Sequence, residues 1–277
     1  MEKKILTEVK RSLSLSNDLV LIGEGGQKSV YKSRNDVYGE IVIKIIELHS
    51  ENILKRALRE LEITTKLGGE EFPKVFKYDY INIKENRYLF VLEEYIYGPT
   101  LRKYMNEKKV TLDEAINIGK TLLRSLIRVH NKKLVHRDLK PENIILNPER
   151  ILLLDFGIAR DLSKESLTAD LAIFGPMTIG YAAPEQIMNQ KRLICNRTDL
   201  FSWGLIMFEM IMGYNPLVKD SQSREEILEN TLTRSLPKLD CGNVHIDVVV
   251  NNCLEKTVHR RPSSAEHIIK IMEGDIK

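Results

Sequence analysis

Residues 134–157 read LVHRDLKPENIILNPERILLLDFG. Two short apolar runs, 144–146 and 151–154, flank an Asn-Pro-Glu-Arg tetrad with turn chemistry, so the segment is predicted to fold as a hairpin. The residue before the first strand and the residue after the second then emerge at the same open end. They are Asn143 and Asp155. An amide oxygen and a carboxylate side by side, with Asp138 and Lys140 just upstream, suit Mg²⁺ that holds polyphosphate oxygens. A polar loop that only caps the hairpin would account for any one of these residues. It does not account for all four.

Working outward, the chain changes character once. From residue 18 to about 95 the apolar runs are short and strand-like: LVLIG, SVYKS, EIVIKII and RYLFVLEE. One helical stretch, 51–67, interrupts them, with Leu54, Leu58, Leu61 and Leu67 at roughly helical spacing. Beyond YGPT the chain turns helical, starting at Thr111-Leu-Asp-Glu114, a capping-box pattern ahead of an apolar-periodic stretch to His130. Residues 1–17 read as an amphipathic helical lead-in. The expected fold is α+β, a strand-rich lobe of about 18–95 followed by a larger, mainly helical lobe of about 96–277.

With 277 residues, 43% hydrophobic and 29% charged, the composition is that of a soluble globular protein with a sizeable core. The 42 basic and 39 acidic residues are dispersed and leave a net charge of +3, which argues for neither a nucleic acid nor a membrane partner. Cys195, Cys241 and Cys253 form no C-x-x-C pair and leave one unmatched, so reduced thiols in the cytoplasm are expected. The N-terminal residues lack the apolar core of a signal peptide. The most apolar stretch, 200–213, carries Glu209 and is too short to span a bilayer; a buried helix explains it.

The set GEGGQKSV, Lys44, Glu60, HRDLKPEN, DFG, YAAPE, Asp199 and Arg261, in that order over about residues 18–272, resembles the eukaryotic-like (Hanks-type) serine/threonine protein kinases. The resemblance implies a two-lobed fold, with a small antiparallel-β N-lobe carrying one main helix and a larger helical C-lobe. It also implies Mg²⁺-dependent transfer of the γ-phosphate of ATP to protein hydroxyls, with autophosphorylation. Asp138 matches the aspartate that accepts the substrate proton, and Lys140 the lysine that steadies the transferring phosphate. Asn143 and Asp155 match the metal ligands. Lys140, two residues after Asp138, is the serine/threonine-type residue. The lack of an anchor or sensor segment resembles stand-alone bacterial members.

Lys44 lies within an apolar strand, where a lone ammonium is costly, so it needs anions: the ATP phosphates and, as the resemblance implies, Glu60. Glu62 points about 200° around the helix from Glu60 and cannot share its face. The loop Ile22, Gly23, Glu24, Gly25, Gly26, Gln27, Lys28, Ser29, Val30 matches the glycine-rich loop that covers ATP. Gln27 rules out a Walker-type loop, and Lys28 replaces the third glycine of the kinase pattern. Lys28 is expected to be solvated and point away from phosphate. With Glu94, Tyr95 and Ile96 as the adenine-reading hinge, Glu94 and Ile96 are the contacts, and Glu93 stands at the gatekeeper position. A carboxylate there must be hydrated or paired.

Glu185 and Arg261 match the ion pair that anchors the activation segment, and Asp199 the aspartate that braces the catalytic loop. Trp203 and Met207 are expected in the core. Glu142 matches a position that can favour a basic residue near the target, while Thr100 stands where strongly basophilic relatives carry a second acid, so only weak arginine preference is expected. Arg137 matches an arginine that pairs with an activation-segment phosphate; the candidate sites are Thr168, then Ser166 and Ser163, with Asp170 as a built-in acid. Thr178 matches the threonine that contacts the catalytic loop. Two other classes remain open: a pseudokinase acting as an ATP-binding or interaction module, and a small-molecule kinase of the same fold. Partners other than protein substrates and ATP, and the oligomeric state, are not readable.

Overall fold

The computed structural model describes residues 2–13, 15, 18–25, 28–156, 159–162 and 177–275. The chain divides into two compact units, Met1–Tyr97 and Gly98–Lys277.

The first unit opens with helix α1 (Glu2–Ser12). Strands β1 (Val20–Gly25), β2 (Lys28–Asn35) and β3 (Gly39–Glu47) follow, then α2 (Glu51–Leu67), β4 (Val75–Ile83) and β5 (Asn86–Glu94). Among the described residues the five strands form one antiparallel sheet in the order β1-β2-β3-β5-β4. Both faces are covered, and strand alternation decides which residue meets which cover. Ile41, Ile43 and Ile45 of β3 face Val9 and Leu13 of α1, while Ile46, with Leu89 and Val91 of β5, faces Ala57 and Leu61 of α2. The Ser50 side chain caps α2 by accepting from Ile53 N. Leu58, predicted to lie on the apolar stripe of α2, is 39% exposed. The buried residues are Ala57, Leu61, Ile63, Thr64 and Leu67, so Leu61 and Leu67 of the predicted stripe are enclosed and Leu54 is half-buried.

The second unit contains α3 (Leu101–Glu107), α4 (Leu112–Asn131), β6 (Leu134–Val135), β7 (Ile144–Leu146), β8 (Ile151–Leu153) and β9 (Arg160–Asp161). Helices α5 (Pro184–Ile187), α6 (Asn196–Met212), α7 (Arg224–Leu232), α8 (Val244–Cys253) and α9 (Ala265–Glu273) complete it. α3 was not anticipated; Thr100, which caps it by accepting from Lys103 N, was its one sequence signal. The capping box at Thr111 and Glu114 forms as expected. α6 is the apolar stretch that begins near residue 200. It is buried nearly all round, with Trp203 and Met207 fully enclosed, and packs against α4 and α8. The Trp203 indole donates to Gly119 O at 3.0 Å, which satisfies its one polar atom. Gly98, at φ 126°, carries the chain so close to β7 that a Cβ would lie 2.2 Å from Leu146 O. The described residues contain no helix long and apolar enough to cross a membrane.

Candidate active site

The hairpin forms with β7 and β8 in the register Ile144↔Leu153, Ile145↔Leu152 and Leu146↔Ile151. Leu154 N donates to Asn143 O at 2.8 Å and closes the open end, so Asn143 and Asp155 leave the ladder together. Asp155 (φ 63°) and Arg137 (φ 69°) hold left-handed backbone, which costs a non-glycine residue about 1–3 kcal/mol. At Arg137 a buried partner holds the backbone in place. Asp199, fully buried on α6, accepts from His136 N and Arg137 N, each at 2.9 Å, and meets His130 Nε2 at 2.9 Å. Burial alone would push the Asp199 carboxyl up, but the His130 hydrogen bond and charge outweigh it and hold it below the usual carboxylate range.

His136 is a residue whose role the sequence reading left unassigned. Its Nε2 lies 3.0 Å from Leu154 O, and its ring packs edge-on against Phe156 at 4.6 Å. It therefore ties the loop that carries Asp138 to the strand end that carries Asp155.

Asp138, Lys140 and Thr178 close a tight triangle. Lys140 Nζ donates to Asp138 Oδ2 at 2.7 Å and to Thr178 Oγ1 at 2.6 Å, and the Thr178 hydroxyl donates to Asp138 Oδ1 at 2.7 Å. The Asn143 amide donates to Asp138 O at 2.9 Å and to Asp138 Oδ2 at 3.0 Å. Its NH₂ is thereby spent on Asp138, and its oxygen is the atom suited to a cation. Asn143 and Asp155 supply hard oxygen donors, and no group of three or more His, Cys, Asp or Glu placed to hold a metal ion occurs among the described residues. That donor set fits Mg²⁺, which takes one or two carboxylates and completes its shell with water and phosphate oxygens.

In the first unit, Lys44 Nζ lies 3.2 Å from Glu60 Oε1 and 2.8 Å from Glu93 Oε2. The expected Glu60 contact is present, and the Glu93 carboxylate is paired with the Lys44 ammonium. Glu62 is exposed. Lys28 departs from its expectation. Its Nζ lies 3.9 Å from Glu60 Oε1 with its side chain 26% exposed, because alternation along β2 aims it at the face that α2 covers. β1 and β2 pair antiparallel through Gly23↔Val30, Glu24↔Ser29 and Gly25↔Lys28; Gly26 and Gln27 lie outside the described residues. Ile22 is 49% exposed. Glu94 N donates to Lys74 O at 2.9 Å, and Ile96 is buried.

Two further groups support the second unit. Arg261 meets Glu185 through two parallel bonds of 2.8 and 2.9 Å, both residues almost fully enclosed. Arg102, which sequence reasoning missed, joins Glu142, Glu209 and the Tyr181 hydroxyl, and Tyr181 in turn bonds Glu209. Thr168, Ser166, Ser163 and Asp170 lie outside the described residues.

The protein kinase domain family matches residues 16–271. The serine/threonine-protein kinase PrkC of Bacillus subtilis is 27% identical over 265 residues, covering 94% of this chain and 39% of the relative. A probable serine/threonine-protein kinase PknB of Lactococcus lactis is 29% identical over 242 residues, covering 85% of this chain and 37% of the relative. Mitogen-activated protein kinase kinase 2 of Arabidopsis thaliana is 27% identical over 283 residues, covering 96% of this chain and 76% of that protein. The chain thus spans under two fifths of the length of PknB and 39% of that of PrkC.

Proposed function

We propose, for a chain that belongs to the protein kinase family, that it transfers the γ-phosphate of ATP to serine or threonine hydroxyls of proteins. The observation that carries this reading is the triangle of Asp138, Lys140 and Thr178, a carboxylate and an ammonium held at hydrogen-bond distance by a hydroxyl. Asp138 accepts the proton of the substrate hydroxyl as its oxygen bonds to the γ-phosphorus and the bond to the β-phosphate oxygen breaks, releasing ADP. Lys140 neutralises charge on the phosphoryl group in flight. Lys44, oriented by Glu60, holds the ATP phosphates, and the loop of residues 22–30 covers them through its backbone N–H groups. Glu94 and Ile96 read the adenine. Asn143 and Asp155 would hold Mg²⁺, which supplies charge neutralisation across the phosphates. Residues 18–277 form the catalytic domain, with 1–17 as a lead-in, and the protein works in the cytoplasm.

The test is transfer of labelled γ-phosphate to the protein itself and to a generic protein substrate with Mg²⁺, with Asp138→Asn alongside. Transfer by wild type and a loss of at least about a hundredfold in Asp138→Asn is the expected outcome. ATP binding without transfer would make the protein a binding module, and transfer only to a small alcohol would make it a small-molecule kinase.

A further inference from the structure

The two departures from the kinase pattern in the first unit, Lys28 and Glu93, converge on the same pair of residues. Lys28 pairs with Ile46 across β2 and β3, Lys44 with Val91 across β3 and β5, and Glu93 with Val42. Directly paired residues share a face, so all three side chains emerge on the side that α2 covers. Glu60 projects from that helix onto them. Lys44 then lies between two carboxylates, at 3.2 and 2.8 Å, and Glu60 between two ammonium groups, at 3.2 and 3.9 Å. The side chains of Lys44, Glu60 and Glu93 are 15%, 12% and 6% exposed. Among the contacts described, two cations and two anions balance, and in so dry a cluster an unbalanced charge is costly.

We propose that Glu93 is a second positioning carboxylate for Lys44, sharing that role with Glu60, and that Lys28 is the cation that keeps the enlarged cluster neutral. With one carboxylate, a lysine loses its orientation when that partner is removed. With two, either can hold the ammonium while it meets phosphate. Burial pushes the Glu93 carboxyl above the usual range and the Lys44 ammonium pulls it back, in keeping with a carboxylate whose ionisation depends on this cluster. The proposal rests on the kinase reading for the role of Lys44, and the test separates the two.

Wild type, Glu60→Gln, Glu93→Gln and the double variant are compared for kcat, KM for ATP, the dissociation constant of a fluorescent Mg–ATP analogue, and thermal midpoint. Each single variant is expected to lower kcat/KM for ATP by less than about tenfold, and the double to exceed the product of the two losses by at least about tenfold. Kinetics and binding are compared well below every midpoint, so the excess reports how Lys44 is held and not the fraction of unfolded protein. A double loss equal to the product, or a Glu60→Gln loss as large as that of Lys44→Met, overturns the proposal. Should the double variant fail to fold, Glu93→Asp is compared in both backgrounds. It should cost under about twofold in wild type and over about fivefold in Glu60→Gln; equal costs overturn the proposal. For the charge balance, Lys28→Gly should lower the midpoint and Lys28→Gly/Glu93→Gln restore part of it; no restoration overturns that clause. A wild type that binds nucleotide without transferring phosphate overturns the kinase reading alone, and the coupling is then read in the dissociation constants. One that neither binds nor transfers overturns both.

Discussion

Nε of Arg102 lies 2.7 Å from Oε1 of Glu142, four residues beyond Asp138 in sequence. The same guanidinium donates through Nη1 to Glu209 Oε1 at 2.7 Å, so one cation of this chain already answers both acids. A basic side chain on a substrate would have to displace it. Peptide arrays with the wild type should show under about threefold preference for arginine at any position, and Arg102→Ala should raise it to about tenfold or more. A wild-type signal dominated by arginine, or an unchanged pattern in Arg102→Ala, counts against this.

The Thr178 hydroxyl donates to Asp138 and accepts from Lys140, and such bonds to charged groups are worth about 1.5–3 kcal/mol. Thr178→Val is therefore expected to lower kcat by about 10- to 100-fold with little change in KM for ATP. Thr178→Ser, which keeps the hydroxyl, should stay within about threefold of wild type. Equal kcat for the valine and serine variants would remove the hydroxyl from the mechanism.

Asp199 links turnover to acid stability. Its folded pKa lies below the unfolded one, so its stabilisation is present above the unfolded value of 3.8 and is lost as pH falls through the folded value. Asp199→Asn should cost about 3 kcal/mol near neutrality, because it leaves the His130 contact and the His136 and Arg137 amides without a charged acceptor. Thermal midpoints for both proteins over about pH 2–7 should converge under acid. A gap independent of pH would show that shape rather than charge is at work.

Arg261 anchors more than its ion pair. Besides Glu185 it donates to the carbonyls of Glu255, Arg197 and Lys256 at 2.7, 3.0 and 3.1 Å. Arg261→Ala should destabilise by about 3–5 kcal/mol in chemical denaturation. Arg261→Lys, with one nitrogen for these partners, should recover less than about half of that. Full recovery by lysine would mean that charge alone matters there.

The sequence by itself determined what short stretches of chain can decide. The hairpin at residues 144–153, the capping box at Thr111, the buried helix at 196–212 and the order of the kinase motifs all depend on neighbours close along the chain or on composition within one element. Asn143 and Asp155 came out at one end for the same reason, since a tight turn leaves two strands little choice of register. Tertiary structure decided the rest. Which face of the sheet α2 covers sets whether Lys28 meets solvent or Glu60, and the register of β3 on β5 brings Glu93 to Lys44 from 49 residues away. The packing of α2 turned Leu58 outward while it enclosed Leu61 and Leu67. Arg102 finds Glu209 across 107 residues, through helix packing that no local pattern encodes. Side-chain identity is written along the chain, but the partner of a buried charge is chosen by strand register and helix rotation, and those are set by packing the whole core at once.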